Sequence, residues 1–296
     1  MNARRRRQAP LLLAPTWLVL GVFFLAPLAI VFVYSFAKRG TYGGFAPIDN
    51  LWTWVTSGNA FGNYVRSVQG DYLRTFGRSL WLATLTTVLA VLVSFPMAYY
   101  LAILAPARRR ALLVALVVVP FWTSFLIRTY AWMILLRPEG LINTLLIGAG
   151  VIHRPLEMLY TPFAVTIGLV YGELPFMILP LYASLEKLDR SLLEASADLG
   201  AGTVSTFFRV TVPMAAPGLA AGIVLVFVPS VGQFVVSDLL GGGKVDLLGN
   251  VIQRQFMSAR NQPFGAALAV ELTLLVLAML AAYAIYVKRK GAEVAL

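Results

Sequence analysis

The chain has 296 residues, of which 59% are hydrophobic and only 12% are charged. Soluble globular domains carry about 25% charged residues, so this composition excludes an ordinary water-soluble protein and indicates an integral membrane protein. The absence of cysteine excludes disulfides and thiolate metal sites, and the single histidine, His153, excludes a histidine-based metal centre. The formal net charge of +11 fits basic loops beside membrane spans better than nucleic-acid binding, and no cofactor is expected.

Six stretches are apolar enough over sufficient length to cross a membrane, because a helical span needs about 20 mostly apolar residues. Their predicted bounds are 11–34, 80–104, 111–136, 161–185, 217–239 and 264–287. The third, fourth and sixth spans contain Arg128, Glu173 and Glu271, respectively. Pro229 and Gly232 interrupt the fifth span, which is tolerable where neighbouring helices satisfy the freed backbone groups. The sequence therefore predicts an all-α integral membrane protein with six transmembrane helices.

Short basic clusters at the ends of the spans predict the orientation. They comprise residues 4–7 before the first span, 108–110 between the second and third, and 288–290 after the sixth. With six spans all three clusters lie on one side, and the excess of Lys and Arg in cytoplasmic loops makes that side the cytoplasm. Both termini are then cytoplasmic. The predicted segments are a basic N-terminus at 1–10, a single transmembrane domain at 11–287 and a tail at 288–296.

The loop at 186–213, between the fourth and fifth spans, contains a predicted amphipathic helix. Ser191 and Glu194 have the spacing of a capping box, so a helix should begin there. Gly200 or Gly202 can supply the left-handed residue that ends it. A second short helix is predicted to follow and to end at the proline that precedes the fifth span.

The same loop resembles the EAA motif of bacterial ABC importer permeases, in which Glu-Ala-Ala is followed by a glycine and, farther on, by a proline. The matching residues are Glu194, Ala195, Ser196, Gly200, Val210, Val212 and Pro213, with Ser196, Val210 and Val212 as conservative departures. The resemblance implies that the segment, with Ser191 and Asp198, docks on a cytoplasmic ATPase. Glu194 and Asp198 are like-charged and one turn apart, which predicts a basic partner surface. The alternative is a surface helix at the lipid boundary.

Further stretches resemble the permease subunits of spermidine/putrescine-type ABC importers. These stretches are 120–128, 174–182, 237–242, 249–250 and 263–265. The resemblance implies the type I importer permease fold, a place in the bacterial inner membrane, and half of the translocation pathway for a polyamine or a related small cationic solute. It also implies three kinds of protein partner: a second homologous permease, a dimer of ATP-binding subunits and an extracytoplasmic solute-binding protein. ATP hydrolysis would occur in the ATP-binding subunits, so this chain is not expected to be an enzyme, and it has no P-loop sequence.

Ionisable residues within spans usually face the bundle interior, which makes them candidates for the pathway. Glu173 and its neighbour Tyr171 could hold a flexible polycation by charge and cation–π attraction. The alternative is that Glu173 pairs with Arg128 and joins two helices. Asp238, at the outer end of the fifth span, either guards the entrance for a cation or caps the following turn. Glu271 is either a pathway residue or a helix–helix contact.

Aromatic residues collect toward the outer end of the third span. Trp122, Tyr130 and Trp132 form either an interfacial aromatic belt or a stacking surface for the substrate. Pro229, together with Gly232 one turn on, predicts a kink that acts either as a gate or only in packing.

Two other classes of function are alternatives to the importer. In an ion-coupled secondary transporter, Glu173, Glu271 and Arg128 would form the coupling site. A membrane scaffold would bind partners without moving any solute. The energy source separates these classes, because a secondary transporter moves substrate alone under an ion gradient. The motif in the loop at 186–213 favours the importer.

Overall fold

The computed structural model describes residues 15–47 and 51–293. Within these ranges the chain is helical, with a single isolated bridge between Arg39 and Phe45 and no strand, so the all-α prediction is confirmed there. The predicted basic cluster at 4–7 and the predicted start of the first span at 11–14 lie outside the described residues.

Thirteen helices longer than a single turn lie within the described ranges. In chain order they are α1 (Pro15–Ser35), α2 (Leu51–Thr56), α3 (Gly62–Ser67), α4 (Asp71–Leu104), α5 (Ala107–Trp122), α6 (Phe125–Leu135), α7 (Leu141–Gly148), α8 (Pro162–Leu185), α9 (Arg190–Asp198), α10 (Thr203–Gly232), α11 (Val235–Gly241), α12 (Leu248–Met257) and α13 (Gln262–Glu293). Five of them, α1, α4, α8, α10 and α13, are long and apolar enough to cross a membrane. Helices α5 and α6 meet the same criterion only as a pair and are bent by 90° where they meet, so the described residues contain six candidate spans if this pair counts as one.

The third span is therefore broken, where the sequence predicted one continuous helix over 111–136. Helix α5 closes in a 3-10 turn that contains Pro120, and Thr123 and Ser124 then adopt extended conformations, with ψ values of 156° and 132°. Two successive extended residues cannot continue a helix, so the chain changes direction before α6 begins.

The fifth span also differs from the predicted 217–239. Helix α10 begins at Thr203, so the predicted separate short helix ending near Pro213 is wrong. A π-helical turn over Phe207–Thr211 changes the hydrogen bonding just before Pro213, so the ring, which has no N–H to donate, does not end the helix. At its other end α10 stops at Gly232, and the remaining predicted residues belong to α11.

The chain forms two compact units, one comprising 1–73 with 251–275 and the other 74–250 with 276–296. In the larger unit, α8 packs closely against α10 because two glycines of α10 carry no side chain. A Cβ atom at Gly218 would lie 2.2 Å from the carbonyl oxygen of Pro180, and one at Gly222 would lie 2.6 Å from Sδ of Met177.

Two apolar clusters fill the larger unit. One contains residues of α8 and α11 with the loops beside them, and its fully buried members include Leu136, Leu169, Leu240 and Leu247. The other joins α4, α8 and α10 and includes Ala90, Ala98, Met177, Leu181 and Val226. Small residues on α4 thus face larger ones on α8, which allows the helices to approach closely.

In the smaller unit, α3 is tied to the end of α1 and to α13 by side-chain hydrogen bonds. The Asn63 amide donates to the carbonyl oxygens of Ser35 and Ala37, at 2.9 and 3.0 Å. The Ser67 hydroxyl donates a short hydrogen bond to the Glu271 carboxylate of α13. Both spans therefore hold α3 in place.

Candidate functional site

Helix α9 lies in the connection between α8 and α10, where the sequence predicted a capped helix. Its N-cap is Asp189, whose carboxylate accepts a hydrogen bond from the backbone N–H of Ser191 at 3.0 Å. The predicted capping box that begins at Ser191 is therefore wrong. The Asp189 carboxylate instead accepts the hydrogen bond from the N–H of the residue two positions later, and the helix begins at Arg190. The hydrogen bond from that N–H also lowers the pKa of the Asp189 carboxyl from its ordinary value.

The other end of α9 is closed by Gly200, as the sequence predicted. Gly200 has a φ of +80°, in the left-handed region, and its N–H donates to the carbonyl of Ala197 at 2.8 Å. Gly202, the second candidate, has a φ of −68° and instead precedes the first turn of α10. The chain reverses between α9 and α10 over these few residues.

The two faces of α9 have different surroundings. Leu193 packs against the apolar cluster of α4, α8 and α10, and with Ala197 it helps to line a groove of about 430 Å³. On the other side, Leu192 and Leu199 are 42% and 88% exposed. α9 is therefore attached to the bundle by one face and presents leucines on the other.

Acidic side chains accompany the exposed leucines of α9. Glu194 and Asp198 are exposed, and neither has a hydrogen-bond or ion-pair partner in the part of the chain that the structure describes. Ser191 and Ala195 are also exposed, while Pro213 lies farther along, in α10. An apolar surface with unpaired acids suits a partner that offers an apolar cleft with basic residues.

Side chains connect α9 to both neighbouring helices. Ser196 and Thr206 join their hydroxyl groups at 2.9 Å, which links α9 to the first turn of α10. The Arg190 guanidinium donates to the carbonyl oxygen of Ile103, at the end of α4, at 2.9 Å. The second contact was not predictable from the sequence, because an arginine at the start of a short helix has the pattern of any solvated basic residue.

Glu173 is buried in the bundle, with 7% of its surface exposed. No hydrogen bond or ion pair involves its carboxylate within the described residues. Arg128 instead donates to the carbonyl oxygen of Pro120 at 3.3 Å and lies over the Phe121 ring, 4.5 Å from its centroid. The alternative in which Glu173 pairs with Arg128 is therefore wrong.

Tyr171 lies in an aromatic cluster on the other side of α8. Its ring centroid is 5.6 Å from those of Phe121 and Trp132. With Phe121 and Tyr100 it lines an apolar groove of about 410 Å³ between α4, α5 and α8. Glu173 does not line this groove, so the structure does not bring the predicted tyrosine and glutamate into one site.

The remaining pathway candidates lie on α5, α6 and α11. Trp122 and Tyr130 are exposed, at 82% and 47%, on the two arms of the bent span. Asp238 is exposed on α11, and its Oδ1 accepts a hydrogen bond from the Asn250 amide at 2.5 Å. Asp238 therefore joins α11 to α12 and does not cap a turn, and one of its carboxylate oxygens stays free.

Glu271 accepts a hydrogen bond from Ser67, which favours the helix-contact alternative for this residue. In the described ranges, no group of three or more His, Asp and Glu residues is arranged to hold a metal ion. The candidate functional site therefore consists of the exposed side chains of α9 and of the hydrogen bonds that join α9 to α4 and α10.

Comparisons with known proteins agree with this geometry. The profile of the family described as "Binding-protein-dependent transport system inner membrane component" matches residues 110–291. The spermidine/putrescine transport system permease protein PotB of Escherichia coli (strain K12) is 43% identical over 267 residues, covering 90% of this chain and 92% of the relative. PotB of Haemophilus influenzae is 42% identical over 269 residues, covering 90% and 89%.

Two solved structures are similar in fold. A chain of a bacterial ABC transporter involved in the import of the acidic polysaccharide alginate aligns with a TM-score of 0.75 at 17% identity, covering 97% of this chain and 96% of that one. A bacterial alginate ABC transporter in complex with an alginate pentasaccharide-bound periplasmic protein aligns with a TM-score of 0.73 at 16% identity, covering 95% and 93%. At these identities the similarity concerns the fold, which is that of an ABC importer permease.

Proposed function

This chain belongs to the family of binding-protein-dependent transport system inner-membrane components, and from this premise we propose that it carries spermidine, putrescine or a closely related cation across the inner membrane. The observation that carries the proposal is the 43% identity to the spermidine/putrescine permease of Escherichia coli over 90% of the chain. The chain would form one half of the pathway, and a second homologous permease would form the other half.

The coupling surface of the proposed importer is the exposed side of α9. Leu192 and Leu199 would enter a cleft on an ATP-binding subunit, and Glu194 and Asp198 would meet basic side chains at its rim. Like charges one turn apart destabilise a helix by a few tenths of a kcal/mol, and a cationic partner removes that cost. ATP hydrolysis belongs to the ATP-binding subunits in this scheme.

We infer the orientation from the basic residues near α9. Arg110 Nη1 lies 3.7 Å from Glu186 Oε1, so the start of α5 and the end of α8 are at the same end of the bundle. Arg108 to Arg110 form a basic cluster, which is typical of cytoplasmic loops. α9 would therefore face the cytoplasm, where ATP-binding subunits are found, and the solute-binding protein would deliver substrate at the opposite end.

No observation favours the ion-coupled secondary transporter. The coupling site considered for that function comprises Glu173, Glu271 and Arg128 acting together within the membrane. Glu173 and Arg128 are not paired, and Glu271 is held by Ser67.

The test uses the complete complex in liposomes: this chain with its second permease, ATP-binding subunits and solute-binding protein. ATP hydrolysis and uptake are titrated with spermidine and putrescine, and with amino acids as control solutes. We expect polyamines to stimulate both activities only when the binding protein is present. Stimulation by another solute instead would support an ATP-driven importer but would exclude a polyamine as its substrate.

Charge reversal on α9 tests the coupling surface separately. Glu194→Lys should abolish uptake and detach the ATP-binding subunits, while the permease still inserts. Glu157→Lys makes the same charge change at another exposed glutamate, outside α9, and should leave both unchanged. Uptake at the unmodified rate in the Glu194→Lys complex would reject α9 as the coupling surface.

A further inference from the structure

Two π-helical turns lie in the helices that flank α9. One covers Tyr100–Leu104 at the end of α4, and the other covers Phe207–Thr211 near the start of α10. π-helical turns are rare and are found frequently at functional sites, where they mark a helix that departs from regular hydrogen bonding. Here the turn in α10 follows α9 along the chain, and the turn in α4 contains Ile103, whose carbonyl oxygen accepts a hydrogen bond from Arg190 of α9.

Aromatic rings connect the π-helical turn of α10 to the part of α4 that precedes its own π-helical turn. The Phe207 ring, the first residue of the turn in α10, contacts Phe95 of α4 edge to face, with centroids 5.1 Å apart. It also contacts Tyr99, the residue before the turn in α4, at 6.3 Å. Edge-to-face aromatic pairs have a preferred distance and angle. A displacement of Phe207 at the start of α10 should therefore also displace Phe95 and Tyr99 of α4.

Arg190 makes a direct contact from α9 to the same end of α4. Its guanidinium donates to the carbonyl oxygen of Ile103 at 2.9 Å. The last carbonyls of a helix have no partner within the helix, and their partial negative charge favours a cation. α4 ends here because Ala105 is extended and Pro106 follows. The first residue of α9 therefore caps the last turn of α4.

We propose that Arg190 and Phe207 transmit the movement of α9 to α4. Arg190 pulls on the Ile103 carbonyl directly, and Phe207 acts through α10, to which α9 is joined by the Ser196–Thr206 hydrogen bond. The two π-helical turns are the points at which these helices yield. This inference rests on the proposed function, because it assumes that an ATP-binding subunit moves α9.

Arg190 and Phe207 are positioning residues in this scheme, so their loss should separate ATP hydrolysis from transport. In Arg190→Gln, the ATP-binding subunits stay attached and hydrolyse ATP, but uptake per ATP hydrolysed falls by about three- to tenfold, roughly the factor for one ordinary hydrogen bond, since this contact is exposed to solvent. Arg190→Lys keeps a cationic donor and should restore part of the loss. Arg108→Gln removes the same charge from an exposed arginine nearby and should have no effect.

Phe207→Leu provides a second variant if the Arg190→Gln chain fails to accumulate. It keeps an apolar side chain but removes the edge-to-face contacts, so uptake per ATP should fall as well. Phe208→Leu is its control, because the Phe208 ring is 64% exposed and packs on Phe207 alone among the described aromatic residues.

Three outcomes overturn the inference. Uptake per ATP in Arg190→Gln equal to that in Arg108→Gln would mean that the contact with Ile103 transmits nothing. Detachment of the ATP-binding subunits would mean that Arg190 acts in docking. In the second variant, equal uptake per ATP in Phe207→Leu and Phe208→Leu would exclude the aromatic route. If Glu194→Lys also leaves uptake and subunit attachment unchanged, α9 is not the coupling surface. That result would reject the proposed function and not only this inference.

Discussion

The close approach of α8 and α10 predicts a steep dependence of stability on the size of one side chain. In Gly218→Ala the new Cβ would lie 2.2 Å from the Pro180 carbonyl oxygen and 2.7 Å from the Ser184 Cβ. Carbon and oxygen atoms that are not bonded stay more than 3 Å apart, so the two helices must separate by about 1 Å. Overpacking costs about 1–3 kcal/mol. Separation also lengthens the hydrogen bond from the Gly218 N–H to the Ser184 hydroxyl, which is now 3.0 Å. We therefore expect a loss of stability near the upper end of this range, about 3 kcal/mol.

Two matched glycine substitutions make this prediction specific. Gly222→Ala meets the sulfur of Met177 at 2.6 Å, which is the flexible part of a side chain, so its cost should be smaller. Gly77→Ala, in α4, meets no atom within 4 Å and should stabilise the helix by up to about 1 kcal/mol. The expected order of stability is Gly77→Ala, then the unmodified chain, then Gly222→Ala, and last Gly218→Ala.

The assay is the thermal midpoint of the purified chain in detergent, with equal protein and detergent concentrations for the four proteins. A loss of about 3 kcal/mol should lower the midpoint by roughly 6–12 °C in a protein of this size. If Gly218→Ala has the same thermal midpoint as the unmodified chain, the distance between α8 and α10 does not depend on this glycine and the packing argument fails.

Three further predictions concern hydrogen bonds. A double-mutant cycle of Ser67→Ala and Glu271→Gln should give a coupling energy of about 1.5–3 kcal/mol, and additivity would reject the contact. The pKa of Asp189 is lowered by folding, so its capping holds above its ordinary pKa and is lost as the pH falls through the lowered value. Hydrogen exchange at the amide it caps should rise over that interval, and Asp189→Asn should remove the pH dependence. Ser196→Cys with Thr206→Cys should form a disulfide on oxidation in this cysteine-free chain, and unimpaired uptake afterwards would show that α9 and α10 move together.

The sequence predicted those elements whose causes are local. The fourth span was predicted at 161–185 and is found at Pro162–Leu185, because a threonine cap, a first-turn proline and a long apolar run lie together. Gly200 was a predicted helix end because few other residues adopt its φ of +80°. The side of α9 that stays exposed, with Leu199 and the acidic residues, also follows from periodicity.

Elements that depend on distant parts of the chain were not predictable in this way. Composition is equally apolar on both sides of the bend at 123–124, so nothing in the pattern marked it. The π-helical turn that lets α10 pass Pro213 begins at Phe207, whose ring packs on Phe95 of α4, a residue more than 100 positions earlier in the chain. The Arg190–Ile103 hydrogen bond joins residues 87 positions apart, and Asn250 holds Asp238 through folding that brings α11 to α12.

The break between α5 and α6 has a consequence for what surrounds this chain. The first turn of α6 has no side-chain cap, and Trp122, Thr123 and Ser124 are exposed beside it. Hydrocarbon offers no hydrogen bonds, so irregular backbone at membrane depth persists only against protein or water. In a span formed by α5 and α6 together, the face that carries residues 123 and 124 would therefore lie against protein or water and not against lipid chains. A second subunit or a water-filled passage on that face would meet this requirement.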